Sequence, residues 1–403
     1  MQRERYSATL HDWAGWHARQ QSGRFRRTAF QHPAFLASFY REKPGHCEEI
    51  VVSLFDHRLQ RVVMALPLVM HRQAGLRRIE AADLGLADYV APLVAEDLSD
   101  DPAEADAMWA AILKALPQAD VVSFKKMPPE IRPGTPNPLA HLPGALDMGI
   151  HTQVFALTDD DGDRPYRRTG YYKEGQRHLR RLTAAHDDVR FHIAATVPEA
   201  NRQFDALIAQ RATRAVELGR DDPLLLAHVQ RFYRGLFADG IANGDVMFGA
   251  LYAGGECIAT DLGLVDGDTH HGVLTSMTSG TMRRFSPGTV AHVLMLDACA
   301  ERGISHYDLG VGEFAYKKRL NARAVPLYER HEALSLRGRL GLAEASIRRR
   351  VRFGVQAYPT LRAPVQRLRT QLKAMRYRTV ATMTIVFDNP VVQGATYSTL
   401  SAF

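Results

Sequence analysis

"MRRFSPGTVAHVLMLDACAERGISHYDLGVGEFAYKKRL", residues 282–320, holds one complete helix and one complete strand together with their punctuation. Ser286 stands at the expected N-cap, Pro287 at the first helical position and Gly303 just past the last turn. Between them Val290, Val293, Leu294 and Ala298 recur at helical spacing. After Gly303, "ISHYDLG" reads as a strand, and Gly310 and Gly312 loosen the chain beyond it. A short loop with Arg283 and Arg284 leading into a helix offers unpaired amides and the positive end of the helix dipole, which suits a phosphate or pyrophosphate. An ordinary capped helix with two solvated arginines would have the same sequence, so the loop alone does not decide.

Upstream, "DVMFGALYAGGECIATDLGLVDGDTHHGVLTSM" (245–277) contains three strand-like runs separated by Gly254-Gly255 and by Asp266-Gly267-Asp268. These are hairpin turns in residue type and spacing, so an antiparallel meander is expected. Two amphipathic helices precede it. The first, "EANRQFDALIAQRATRAVELG", puts Phe204, Leu207, Ile208 and Ala212 on one face and stops at Gly219; "PLLLAHVQRFYRGLFADG" repeats the device. The beginning of the chain shows a fainter version of the same order. "EEIVVSLFDHRLQRVVMALPLVMH" is a hairpin turning at residues 56–61, "PAEADAMWAAILKALPQ" is helical, "DVVSFKKM" is a strand, and the proline-rich "PPEIRPGTPNPLAHLPG" is a loop or linker. The pattern predicts an α+β (α/β) architecture that occurs twice.

A length of 403 residues exceeds what one core usually supports, and 46% hydrophobic with 24% charged residues is an ordinary globular composition. The expected organisation is a first unit over residues 1–170, a second over 171–336 and an extension over 337–403. No apolar run has the length of a membrane span, and the opening "MQRERYSATLHDWAGWHARQ" lacks the apolar core of a secretory signal, so a cytoplasmic location is expected. Cys47, Cys257 and Cys299 have neither disulfide-framework nor zinc spacing and read as small buried hydrophobes. From Arg337 onward twelve Lys/Arg face only Glu344 and Asp388, so a basic extension follows a body that is slightly acidic within the chain's overall +7.

The meander, the "SPG" helix and "YDLGVGEFAYKKRL" together resemble the GNAT superfamily, in particular its branch linked to cellulose and exopolysaccharide biosynthesis. The resemblance covers residues 180–334 and, more faintly, the first segment through "LPLVMHRQAGLRRIEAADLGLADYV". It implies two tandem GNAT-like domains, each a mixed, mostly antiparallel sheet flanked by helices, with the second binding acyl-CoA and the first shaping the acceptor cleft. In this family the acyl-CoA pyrophosphate sits on a Gln/Arg-x-x-Gly-x-Gly/Ala loop, which maps onto Arg283, Ser286 and Gly288. Ser286 departs from the glycine of the pattern. Arg284, Pro287 and Thr289 complete the candidate acyl-CoA-binding loop.

The implied reaction is direct transfer from acetyl-CoA or another acyl-CoA to an amine or hydroxyl, with no covalent enzyme intermediate and no metal. Asp308 and Glu313 are candidates to orient or deprotonate the acceptor, Tyr316 to protonate the departing thiolate and Lys317 to steady an anion. Asp308 could equally cap or pair with a neighbouring arginine, and residues 317–319 could form a solvated face. His271, with His270 and Asp261, is a second-rank candidate: alternation turns only one histidine of the pair inward, and a surface position is expected for either. Arg177, Arg180 and Arg181 lie on a basic helix that suits an anionic acceptor or simply faces solvent.

The resemblance points to a sugar, amino sugar or lipid-linked precursor of a surface polysaccharide as acceptor. The basic segment 337–378 mixes arginines with apolar residues and suits an anionic membrane surface at the inner face, or a synthase complex, more than nucleic acid; packing back on the body is its bland alternative. Two rival readings share the fold. One is an aminoacyl-tRNA-dependent transferase of the peptidoglycan-precursor type, the other a non-catalytic GNAT-like scaffold docking through its basic tail.

Overall fold

The turn at residues 56–61 folds as its sequence reads. Glu48–Asp56 and Arg61–Gln73 pair antiparallel, and Leu76–Ala81 adds the third strand of a meander. The computed structural model describes residues 4–19, 25–98, 101–159, 161–312 and 315–344; the described residues up to Gly338 form one compact unit. The sequence features of 345–378, and Glu313, lie outside the described residues.

Twelve strands run side by side in one sheet. In chain order the first six are β1 (Tyr6–His11), β2 (Glu48–Asp56), β3 (Arg61–Gln73), β4 (Leu76–Ala81), β5 (Val121–Met127) and β6 (Leu146–Ala156). The next six are β7 (Arg190–Ile193), β8 (Val246–Ala253), β9 (Glu256–Asp266), β10 (Thr269–Met277), β11 (His306–Val311) and β12 (Arg323–Ala333). The helices that matter for the site are α1 (Pro33–Glu42), α2 (Pro102–Ala115), α3 (Gly170–Thr183), α4 (Val197–Leu218), α5 (Ala227–Gly240), α6 (Pro287–Glu301) and the single turn α7 (Ala315–Lys318).

The spatial order is β1-β2-β3-β4-β5-β12-β6-β11-β10-β9-β8-β7. It contains the same motif twice. In the first half the meander β2-β3-β4 crosses over through α2 to β5, which runs parallel to β4; in the second, β8-β9-β10 crosses through α6 to β11, parallel to β10. The final strands are exchanged. β6, which follows the first motif, pairs with β11 of the second, while β12, which follows the second, pairs with β5 of the first. β6 and β12 also pair with each other, joining the halves into one continuous sheet. Strand exchange makes the two halves share main-chain hydrogen bonds, which ordinary inter-domain contacts do not.

Local chemistry explains the helix limits. Thr196 and Glu199 form a reciprocal capping box at the start of α4, and Gly219 ends it with φ 58°, a left-handed conformation that costs glycine little. Val290, Ala291, Val293, Met295, Leu296 and Cys299 are all buried, so α6 is apolar on nearly every side and lies inside the protein rather than on it. Gly175 of α3 lets that helix approach closely: a Cβ there would stand 2.6 Å from Val293 Cγ1. Phe204, Phe232, Phe237 and Phe248 pack the opposite side of the second half with Phe35 and Phe39 of α1. Burying aromatic and aliphatic side chains of this size stabilises by about 1.5–3 kcal/mol each.

The proline-rich stretch is mostly loop, as read, but includes a small ladder, Glu130–Arg132 with Thr135–Pro136. Cys47 and Cys299 are buried and Cys257 half-buried, all as free thiols. Among the described residues no helix is long and apolar enough to cross a membrane.

Candidate active site

β10 and β11 hold the chemistry because they begin paired and then part. Their parallel ladder runs only over Thr269–His271 and His306–Asp308, although β10 continues to Met277 and β11 to Val311. Past His271 and Asp308 a seam opens between two neighbouring strands.

Side-chain alternation divides this region into two clusters on opposite faces of the sheet. On the first face Asp308, only 2% exposed, gathers hydrogen bonds from three directions. Thr152 Oγ1 of β6 donates at 2.5 Å, the Gly310 amide at 2.9 Å, and the Tyr89 hydroxyl also donates. His271 Nδ1 lies 3.2 Å from Asp308 Oδ2, its ring edge-on to Phe30 and Tyr89. Burial pushes the Asp308 carboxyl up, but the bonds from His271, Thr152 and Tyr89 outweigh it and hold the group below the ordinary carboxylate value. A buried anion that fixes an imidazole through one ring nitrogen leaves the other as a proton acceptor, an orienting arrangement suited to general-base work.

Asp88 stands beside this pair. Burial raises its carboxyl, Lys126 draws it back and the Asp308 charge raises it again, leaving it at about 6. Gly310, at φ 69°, passes so near that a Cβ would meet Asp88 Oδ2 at 2.7 Å and the Gly272 carbonyl at 3.0 Å. Lys317 is 1% exposed, and its Nζ donates to the Gly310 carbonyl at 2.9 Å; burial lowers its ammonium from the usual value. Its charge therefore faces the Asp88–Asp308 end of β11 rather than solvent, unlike Lys318 and Arg319, which are exposed.

A cleft of about 440 Å³ lies beside the end of β10, between α4 on one side of the sheet and α6 on the other. Gln210 and Arg214 of α4, Thr275 and Met277 of β10, Gly288, Thr289 and His292 of α6, and Tyr316 of α7 line it. Its outer end is the loop read as an anion cradle. Arg283 lines the mouth with Arg211, Arg214 and Arg220; Arg211 pairs with Asp222 at 2.7 Å, Arg214 with Glu217 at 2.7 Å, and Arg283 approaches the same Glu217 at 3.9 Å. Exposed pairs such as those of Arg214 and Arg283 with Glu217 are worth about 0–1 kcal/mol, so an incoming anion can take over these two arginines at little cost; the Arg211–Asp222 pair is half-buried. Arg284 instead lies over the Phe285 ring, 4.8 Å from its centroid.

Ser286 differs from its sequence reading. It occupies the N-cap position of α6 but its side chain makes no capping bond, and its backbone is left-handed at φ 49°, ψ 55°. A glycine would hold that conformation at least cost, so Ser286 carries backbone strain that the glycine of the family pattern would avoid. Gly288 is tight for another reason: a Cβ would lie 3.3 Å from Met277 Sδ across the cleft. At the start of α6 Pro287 has no N–H and the Thr289 and Val290 amides turn back to the Ser286 carbonyl, so an anion there would meet the Gly288 amide and Arg283.

At the inner end Tyr316 stacks near Tyr171, with ring centroids 5.4 Å apart, and His292 sits 5.9 Å away. Burial, aided by the Asp261 charge, pushes the Tyr316 phenol up to about 12. Asp308 does not line this cleft. The structure thus brings Asp308, His271 and Lys317 together and places Tyr316 with Gly288 and Thr289 in the cleft, which Asp308 does not line.

The histidine pair is not at the surface, contrary to its sequence reading. His270 is 0% exposed, stacked on Tyr307 at 4.5 Å, and burial drives its pKa down to about 4; His271 faces Asp308. Both faces of β10 are covered here, so alternation buries one histidine on each. Sequence reasoning missed Thr152, which reaches Asp308 because β6 is exchanged, and Tyr89, which reaches it from the segment after β4. It also passed over His292, read as one turn of an apolar helix.

Residues 171–318 match the family model described as an acetyltransferase (GNAT) domain. This is a GNAT acyltransferase domain. The match begins at Tyr171 in α3 and ends at Lys318 in α7, enclosing the cleft and, from the other cluster, His271, Asp308, Gly310 and Lys317 but not Asp88, Tyr89 or Thr152, and the chain is an acyltransferase. Its fold is similar to the crystal structure of FemX, at 11% identity over 80% of this chain and 96% of that one with a TM-score of 0.50. It also resembles the C-terminal domain (DUF2156) of a putative lysylphosphatidylglycerol synthetase from Agrobacterium fabrum (14% identity, 78% and 91% coverage, TM-score 0.48). A third similar structure is a tandem GNAT protein from the clavulanic acid biosynthesis pathway (12%, 82% and 99%, 0.42). No curated protein sequence matches the chain. The family match falls on the second copy of the sheet's twofold motif. Among the described residues no group of three or more His, Cys, Asp or Glu is placed to hold a metal ion.

Proposed function

We propose that the GNAT domain uses acyl-CoA and transfers its acyl group directly to an amine or hydroxyl on a sugar, amino sugar or lipid-linked polysaccharide precursor. The observation that carries this reading is the cleft itself. It begins at the start of α6 with Arg283, Gly288 and Thr289, and runs inward to Tyr316. A diphosphate at the mouth and a thioester at the seam is the arrangement this shape accommodates. The acceptor class is supported by the sequence resemblance to the exopolysaccharide-linked branch.

In this reading the acceptor approaches from the Asp308 face. His271, held by Asp308, accepts the proton as the acceptor's nitrogen or oxygen attacks the carbonyl carbon, and Lys317 and Asp88 set the field around the seam. Tyr316 stands on the opposite side, where the sulfur departs. Ternary geometry of this kind needs no covalent enzyme intermediate.

The test is thiol release from acetyl-CoA by the full chain in the presence of glucosamine and other sugars, run beside aminoacyl transfer from charged tRNA. Acceptor-stimulated thiol release supports the reading. Aminoacyl transfer with no response to acetyl-CoA replaces it with the tRNA-dependent alternative, and neither activity leaves the scaffold reading.

A further inference from the structure

Beneath the inner end of the cleft, four elements each contribute one buried polar side chain to a single cluster. Asp261 of β9, His270 of β10, Tyr307 of β11 and His292 of α6 meet there. His270 stacks on Tyr307 at 4.5 Å, His292 stands edge-on to Tyr307 at 5.2 Å, and His292 Nδ1 lies 3.2 Å from Asp261 Oδ2 without in-line hydrogen-bond geometry. Both Asp261 oxygens, both His270 nitrogens, the Tyr307 hydroxyl and His292 Nε2 are buried without a hydrogen-bond partner. Leaving a buried polar group unpaired costs about 1–3 kcal/mol, and buried charges cost more unless paired. Gly263 makes room for the cluster: a Cβ there would meet His270 Cε1 at 2.1 Å. A fold that keeps so many unpaired groups together in one place stores strain where chemistry is done.

Of the four, only His292 reaches the cleft wall. Its residue is 6% exposed, Asp261 behind it 1%, and its unpartnered nitrogen is Nε2, the one turned away from Asp261.

We propose that His292, positioned by Asp261, is the proton donor to the departing sulfur. This rests on the acyl-CoA reading of the cleft. A lone pair on the acceptor's nitrogen or oxygen forms the new bond to the carbonyl carbon; the C–S bond breaks; its electron pair on sulfur takes the proton from His292 Nε2, giving free CoA thiol. The acceptor's own proton leaves on the other face to His271, and His292 regains a proton from solvent through the open mouth. Tyr316 is a weaker donor for this step, since a phenol held at about 12 gives its proton uphill to a thiolate whose ordinary pKa is about 8.5. Tyr316 instead packs against His292 and closes the cleft's end. His292 would be a catalytic residue; Asp261 acts through it and is a positioning residue.

The experiment follows thiol release from acetyl-CoA, with glucosamine and with water as nucleophiles, for the wild-type chain and for His292→Gln, His292→Ala, Asp261→Asn and the Asp261→Asn/His292→Gln double variant. Calorimetry measures acetyl-CoA affinity for each. The expected result is a fall in kcat of about 100-fold for His292→Gln with affinity changed less than threefold, the loss expected for one acid–base group. Added imidazole restores at least tenfold to His292→Ala, and the double variant is no slower than His292→Gln, as for residues acting in series. Turnover of His292→Gln within threefold of wild type, with affinity intact, overturns the proposal. So does a wild-type chain that binds acetyl-CoA but accelerates thiol release with neither nucleophile, because acid assistance acts on the C–S bond whichever attacks. A wild-type chain that does not bind acetyl-CoA at all overturns the carrier reading beneath it.

Discussion

Removing the carboxylate of Asp308 is the perturbation whose size the structure fixes best. Asp308→Ala strands the Tyr89 hydroxyl, Thr152 Oγ1 and the Gly310 amide in a site where the parent residue is 2% exposed, and leaves His271 without its anion. Unsatisfied buried donors cost about 1–3 kcal/mol each, and breaking a buried charged network about 3–5 kcal/mol in all, since the neighbours relax together. Asp308→Asn keeps one acceptor oxygen, so about 1–3 kcal/mol is expected. At roughly 2 °C per kcal/mol for a unit of this size, thermal melting should drop by about 6–10 °C for Ala and about 2–6 °C for Asn. Calorimetric melting of the full chain is the assay. Acetyl-CoA affinity should not change, because Asp308 does not line the cleft. An alanine variant melting within 1 °C of wild type would mean that the network does not exist as drawn; one that loses acetyl-CoA affinity while remaining folded would undo the assignment of the two faces.

The two carboxylates of that face should respond to pH with opposite signs. Asp308 has its native pKa depressed, so its contribution to stability is present above the unfolded carboxylate value of about 3.8 and is lost as pH falls through the native one. Asp88 has its native pKa raised to about 6, so the native state binds the extra proton between about 4 and 6 and stability declines as pH rises across that window. The melting difference between Asp88→Asn and wild type should therefore shift in the variant's favour from pH 4.5 to pH 7, and no shift would reject the Asp88 assignment. Gly263→Ala should cost about 1–3 kcal/mol by chemical denaturation, since its methyl would meet a His270 ring that has nowhere to go; a neutral result would mean the ring is placed wrongly. Ser286→Gly should keep acetyl-CoA affinity and stay within about 1 kcal/mol of wild type, whereas Ser286→Val should lose about 2 kcal/mol, because a β-branched residue resists φ 49°; equal melting of the two would refute the strained turn.

The elements with strong local signals were legible before folding. The hairpin at residues 56–61, the capped α4 and the meander β8-β9-β10 announce themselves through turn residues and periodicity, because their hydrogen bonds are made close by in the chain. The exchanged strands β6 and β12 did not. Their partners are decided by two halves of a sheet meeting, and no local pattern in residues 146–156 or 323–333 encodes that meeting. The site divides the same way. Residue types and order singled out Asp308, Tyr316 and the Arg283–Gly288 loop as candidates, and in the structure Asp308 and Tyr316 belong to different clusters. That Asp308 and Tyr316 face opposite ways follows from the alternation of β11 and the turn of α7, and that His292 is a polar group inside an apolar helix matters only once Asp261 is seen behind it. Ser286 shows the converse: a departure from pattern at the sequence level became a stated backbone conformation in the structure.

The central claim is that the start of α6 receives the diphosphate of a thioester carrier, and a calorimetric titration with acetyl-CoA of the wild-type chain and of Gly288→Glu tests it most directly. The introduced carboxylate would stand at the cleft mouth, against Met277 and in the place of the anion. The account predicts saturable binding by wild type and a loss of at least tenfold in affinity for the variant with its melting little changed. Equal affinity in both, or none in the wild type, would contradict it.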